Sequence, residues 1–127
     1  MRFEYLAQAA LVLIGVIHLL PGVVAFAPGR AAAAYGTELG NRDLELLLRH
    51  RALVLGLIGA WVIVGAFLTT IRAAAIGAAV LSLSTFVALA FIIDFRELNE
   101  QTKRVARLDI CLLVALASVV AVLTVSE

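Results

Sequence analysis

Six side chains in this chain are placed where they could do chemistry: Gln8, His18, Arg49, His50, Asp94 and Asp109. Each interrupts or borders a long apolar run. An imidazole such as His18 exchanges a proton near neutral pH, so it could serve as a general acid or base. Arg49 could hold an anionic group or a carboxylate through its fork of donors. Asp94 and Asp109 stand at the ends of apolar runs, where an ionised carboxylate is costly unless paired. An Arg49–Asp109 or Arg49–Asp94 ion pair is the natural solution. Such a pair could lock the bundle, or rim a polar cavity with His18 at its floor.

Several chemistries lack their parts. Ser82, Ser84, Thr85 and Ser118 lie in apolar runs, where a hydroxyl usually bonds its own helix backbone, so none is spaced as a nucleophile for His18. His18 lies roughly two helical turns deeper than His50, about 10 Å, which disfavours a shared metal or haem. No metal and no cofactor is expected. Cys111 is the single cysteine, which excludes an internal disulfide or a thiolate cluster; it reads as a small core residue. No phosphate-cradling glycine loop and no His-x-Gly-His motif is present, which argues against nucleotidyl transfer.

What must position these residues is a bilayer. The chain has 127 residues, of which 64% are hydrophobic, against ~45–50% for a soluble domain. Its net charge of +1, with no basic stripe outside the loops, gives nucleic acid nothing to hold. An apolar run of ~20 residues crosses the hydrocarbon as a helix. Spans are expected at about 5–27, 50–70, 73–94 and 107–125, making residues 1–127 one all-α transmembrane domain, a four-helix bundle.

Eight of the ten basic residues fall in two gaps: Arg30, Arg42, Arg49 and Arg51, then Arg96, Lys103, Arg104 and Arg107. Arg2 and Arg72 fall on the other side. The positive-inside rule then makes both longer loops cytoplasmic and puts both termini outside. Arg2 and the run ending Ala25-Phe26-Ala27 loosely imitate a signal peptide, but Pro28 would follow the cut and Pro21-Gly22 breaks the run, so the segment is expected to stay.

The loops carry stop and start signals. Arg30 to Tyr35 reads as a helical turn or two ended by Gly36. Asn41 reads as the N-cap of the second spanning helix, with Glu45 and Arg49 paired one turn apart. The fourth is expected to begin near Thr102. Helical spacing puts Glu4, Gln8, Leu11, Gly15, His18 and Gly22 on one face of the first span, which should look inward. Glu45, Arg49, Ala52, Gly56, Gly59, Ala60 and Ile63 form a matching stripe on the second. Arg51 is rotated ~200° from Arg49 and reads as a headgroup anchor, as does His50. Gly15 and Gly56-x-x-x-Ala60 suit close helix contact within or between chains.

The run Leu13-Ile14-Gly15-Val16-Ile17-His18-Leu19-Leu20-Pro21-Gly22 resembles the opening of small bacterial four-span proteins of the DoxX-like superfamily. So do Leu47-Leu48-Arg49-His50-Arg51 and Arg107-Leu108-Asp109. The resemblance implies a four-helix bundle in the inner membrane and gives no residue a catalytic role, though His18, Arg49, His50 and Asp109 match its recurring positions. Some similar sequences carry a phosphopantetheine adenylyltransferase label; the missing nucleotide motif keeps it from this chain. The expected function is a non-enzymatic membrane protein that binds a small hydrophobic, lipid-like or anionic ligand at its cytoplasmic side, or an accessory subunit of a membrane complex. The expected partners are membrane lipids and either a second membrane subunit or another copy of the chain. The alternatives are a small membrane enzyme using His18 as acid or base, and a proton-coupled transporter.

Overall fold

A computed structural model describes residues 2–27, 29–38 and 40–126. Pro28, invoked above against a cleavage site, lies outside them. The described chain is all helical: α1 (Arg2–Val24), the short α2 (Arg30–Tyr35), α3 (Arg42–Phe67), α4 (Thr69–Ile93), a 3-10 turn (Phe95–Glu97) and α5 (Glu100–Val125). Four of these helices are long and apolar enough to cross a membrane. The shortest of the four, α1, has 23 residues, which at ~1.5 Å per residue exceeds the ~30 Å of hydrocarbon.

The ends are set by local chemistry. Asn41 Oδ1 accepts from the Leu44 amide at 3.1 Å and starts α3. Asn99 Oδ1 accepts from the Thr102 amide at 2.8 Å and caps α5, which begins at Glu100, two residues before the expected Thr102. Gly36 ends α2 with φ 62°. There the Thr37 amide donates to the Ala32 carbonyl at 3.0 Å and the Gly36 amide to the Ala33 carbonyl at 3.2 Å, a left-handed cap that glycine tolerates without strain. Between α3 and α4 stands one residue, Leu68, so the two helices form a tight antiparallel hairpin.

The long helices close a ring in which α1 packs on α3 and α5, and α4 packs on α3 and α5. Each contributes one large, fully buried side chain to the shared core: Leu11, Val62, Leu83 and Leu116. Short α2 lies across one end, against α3, α5 and the end of α1. That end carries both basic loops.

The α1–α3 contact is the closest. A Cβ added at Gly59 would stand 2.5 Å from the Gly15 carbonyl oxygen and 2.7 Å from His18 Cβ. Gly22 and Gly56 meet in the same way. Small residues let the backbones approach, and this approach fixes the height and rotation of His18. Gly59→Ala is therefore expected to destabilise by about 1–3 kcal/mol through overpacking. Gly77→Ala is the control: its Cβ would meet nothing within 4 Å, and alanine should be neutral or stabilise the helix by about 0.5–1 kcal/mol. Reversible unfolding in mixed micelles measures both. Equal effects would rule out the seam as the cause.

The inward face expected of α1 is the one observed, with Leu11, Gly15, His18 and Gly22 buried and Glu4 and Gln8 partly so. On α3 the stripe departs from expectation. Ala60 is exposed, while Leu55, Val62 and Ala66 are buried. Gly56 and Gly59 face α1, and α3 also packs against α4, so its buried arc is wider than the small-residue stripe. Cys111 is exposed, contrary to its reading as a core residue. The buried positions of α5 are Ala106, Asp109, Leu112, Leu116 and Val119, and Cys111 falls off that face.

Candidate functional site

His18, Arg72 and Asp109 are the buried polar or charged side chains of the described residues. Two of them meet in one place. His18 on α1 and Asp109 on α5 both line a cavity of about 290 Å³ at the basic end of the bundle. Its remaining wall is nearly all apolar, including Leu55 of α3, Leu83 of α4 and Leu112 of α5, and Ala31, Ala34 and Tyr35 of α2 form its roof. Leu20 and Leu108 also line it and are 61% and 47% exposed on the outside of the bundle. The cavity therefore opens sideways, where an inserted bundle meets lipid.

His18 is 2% exposed. Its Nδ1 lies 2.9 Å from the Ile14 carbonyl oxygen. A carbonyl only accepts, so Nδ1 carries the hydrogen, and in the neutral ring Nε2 is left as an acceptor. Nε2 is buried with no hydrogen-bond partner among the described residues. A further acceptor is built into the same turn. Pro21 lies inside α1 and has no N–H, so the Ile17 carbonyl loses its usual helical donor. Ile17 and Pro21 line the cavity beside His18.

Asp109 is paired with Arg51, whose terminal nitrogen lies 3.5 Å from Oδ2. The Arg51 Nε donates to the Tyr35 hydroxyl at 2.6 Å. The guanidinium lies over the Phe86 ring, 3.8 Å from its centroid, a favourable cation–π placement. Asn99 Nδ2 and the Thr102 hydroxyl donate to the Tyr35 carbonyl at 2.7 and 3.2 Å. Arg51 thus neutralises Asp109 and, through Tyr35, pins the roof to α3, while Asn99 and Thr102 pin it to α5.

The expected Arg49–Asp109 and Arg49–Asp94 pairs do not form. Arg49 Nε donates to the Ala25 carbonyl at 2.6 Å, and its NH1 to Glu45 at 3.2 Å. It ties α3 to the end of α1, where helix carbonyls lack partners. Asp94 is exposed at the end of α4 with φ 102°. Its carboxylate accepts from the Arg96 amide at 3.1 Å, a local bond that offsets a left-handed backbone, and it does not line the cavity. His50 is exposed. Gln8 lies near the other end of α1 and donates to Glu4 at 3.4 Å.

Reasoning from sequence missed Arg51, Tyr35 and Arg72. For Arg51 the available signal was spacing: Arg51, Leu55 and Val62 lie on one face of α3. Arg72 sits at the opposite end, where it donates to Glu4 at 2.7 Å and to the Gly65 and Ala66 carbonyls at 2.9 and 2.8 Å. No group of three His, Cys, Asp or Glu side chains among the described residues could hold a metal ion. The described cavity wall has no Ser, Thr, Cys or Lys; its polar side chains are His18, Tyr35 and Asp109. Comparison with protein-family models, with curated proteins and with solved structures finds no match to this chain.

Proposed function

We propose that this four-span membrane protein binds a small, mainly apolar molecule, taken from the bilayer into the cavity beneath α2. One observation carries the reading: His18, whose buried Nε2 has no partner among the described residues, lines a mainly apolar cavity. A buried acceptor without a partner costs about 1–3 kcal/mol, a cost that a bound donor removes. The volume is about twice the ~150 Å³ of an apolar cavity known to take benzene, enough for a bicyclic body or part of a lipid chain. The sideways opening past Leu20 and Leu108 suits a guest that never leaves the membrane. With the basic loops on the cytoplasmic side, as their charge bias favours, the guest would enter from the inner leaflet.

The competing readings have less support. An acyl-transfer enzyme with a hydroxyl or thiol nucleophile would want a Ser, Thr or Cys beside His18, and the described wall has none. A proton path would want polar side chains through mid-bundle, where Leu11, Leu83, Leu116 and Val62 interlock. The exposed apolar faces of the helices are what lipid contact requires, and a partner subunit is not needed to explain them.

Native mass spectrometry of the protein released from lipid nanodiscs tests the proposal. Wild type is expected to retain a low-mass guest. Ala34→Trp, which places bulk at the roof on an exposed residue, is expected to lose it while keeping its helix content. Identical spectra without any adduct in both proteins would end the proposal.

A further inference from the structure

The chemistry of the cavity wall narrows the guest, on the premise that the cavity binds one. We infer that it is a neutral, lipid-soluble alcohol or phenol, whose hydroxyl donates to His18 Nε2. The Ile14 carbonyl, 2.9 Å from Nδ1, fixes which ring nitrogen carries hydrogen. Nε2 is therefore the unpaired acceptor of a side chain that lines the cavity, and it selects a donor. The other polar features of the wall point the same way. Asp109 contributes a carboxylate, and the Ile17 carbonyl lacks its helical donor because of Pro21. Ethers, ketones and hydrocarbons carry no donor and leave His18 Nε2 unpaired. For carboxylates and phosphates the wall holds no free cation: Arg51 is not part of it and is already engaged by Asp109 and Tyr35. A hydroxyl satisfies such an acceptor while its carrier stays soluble in hydrocarbon. Nothing in the wall supplies the two or three fixed donors that an anionic headgroup would need.

The chain has two histidines, His18 and His50, and the second is exposed. Its imidazole nitrogen NMR spectrum therefore holds one site signal and one internal control. Wild-type protein labelled at histidine nitrogen, in nanodiscs, is titrated with 2-naphthol, 2-methoxynaphthalene and 2-naphthoate. His18 is expected to show the Nδ1–H tautomer. 2-Naphthol should move its Nε2 resonance and leave His50 unmoved. The methyl ether should bind about tenfold more weakly, the usual worth of one hydrogen bond, and 2-naphthoate more weakly still. An Nε2–H tautomer overturns the inference. So does equal binding of phenol and ether with Nε2 unmoved, and so does tightest binding by the carboxylate. In those last two cases the cavity still binds a guest, and only the guest's class is wrong. If no probe perturbs any signal of residues lining the cavity, both the class and the binding function fall.

Discussion

Arg72→Met is expected to lower stability by about 3–5 kcal/mol, since each hydrogen bond to a charged donor contributes ~1.5–3 kcal/mol and an orphaned carbonyl adds to the loss. Arg72 is 8% exposed at the start of α4. The helix before it, α3, ends at Phe67, and the last carbonyls of any helix have no partner within it. Two of those carbonyls, Gly65 and Ala66, accept from the Arg72 guanidinium at 2.9 and 2.8 Å. The cation also stands at the negative end of the α3 dipole. Its outer edge grips both Glu4 oxygens, at 2.7 and 3.3 Å, which ties the start of α1 to the α3–α4 turn. One side chain therefore joins three helices at the end remote from the cavity. Arg72→Lys should recover only part of the loss, because one ammonium cannot span two carbonyls and a carboxylate as a planar fork does. Glu4→Gln should cost less than either, since the Glu4 side chain is 40% exposed and the amide keeps an acceptor for Arg72. Unfolding in mixed micelles ranks the three variants. Arg72→Met indistinguishable from wild type would show that the carbonyls find other donors and that the capping role is wrong.

How far these arrangements could be read beforehand depends on how many neighbours each helix has. On α1 the polar residues and glycines share one narrow face, so helical spacing alone put His18 inward. The caps at Gly36 and Asn41 were legible because their chemistry is local. On α3 the same logic chose the wrong arginine. The Ala52–Gly56–Gly59 stripe marks the contact with α1, and Arg49 sits above it, so Arg49 meets the end of α1. Asp109 comes from α5, on another side of α3, and the residue above the Leu55–Val62 face is Arg51. Spacing gives a rotation about one axis; it does not say which partner stands in that direction. Arg72 was counted as a charge on the sparse side of the membrane. Its burial follows from a one-residue turn that folds α4 back over the end of α3, and turn geometry leaves no periodic trace. Tyr35 was hidden for a related reason. Its role comes from where α2 lies, and a six-residue helix with glycines on both sides carries no record of its docking site.

The Arg51–Asp109 pair gives the second large effect, and its sign pattern identifies the cause. Asp109 is 5% exposed, so Arg51→Met leaves a carboxylate buried without its partner. Breaking a buried pair from one side costs about 3–5 kcal/mol, whereas replacing both members by apolar groups of similar size is often close to neutral. Arg51→Met is therefore expected to destabilise strongly, and Arg51→Met with Asp109→Leu to recover most of the loss. Arg51→Lys should not rescue fully. The guanidinium plane stacks 3.8 Å from the Phe86 centroid and its Nε holds the Tyr35 hydroxyl, contacts a lysine ammonium reproduces poorly. A double-mutant cycle in mixed micelles separates the two contributions. Should the double variant stay as unstable as Arg51→Met, the orphaned carboxylate is not the cause, and the loss lies in undocking α2 through Tyr35 and Phe86. Tyr35→Phe decides that case, because it removes the Arg51–Tyr35 bond and leaves the ion pair in place. Recovery in the double variant would have a further consequence for the cavity. Asp109 would then be dispensable for folding, and its survival in the wall beside His18 would call for a role in choosing the guest.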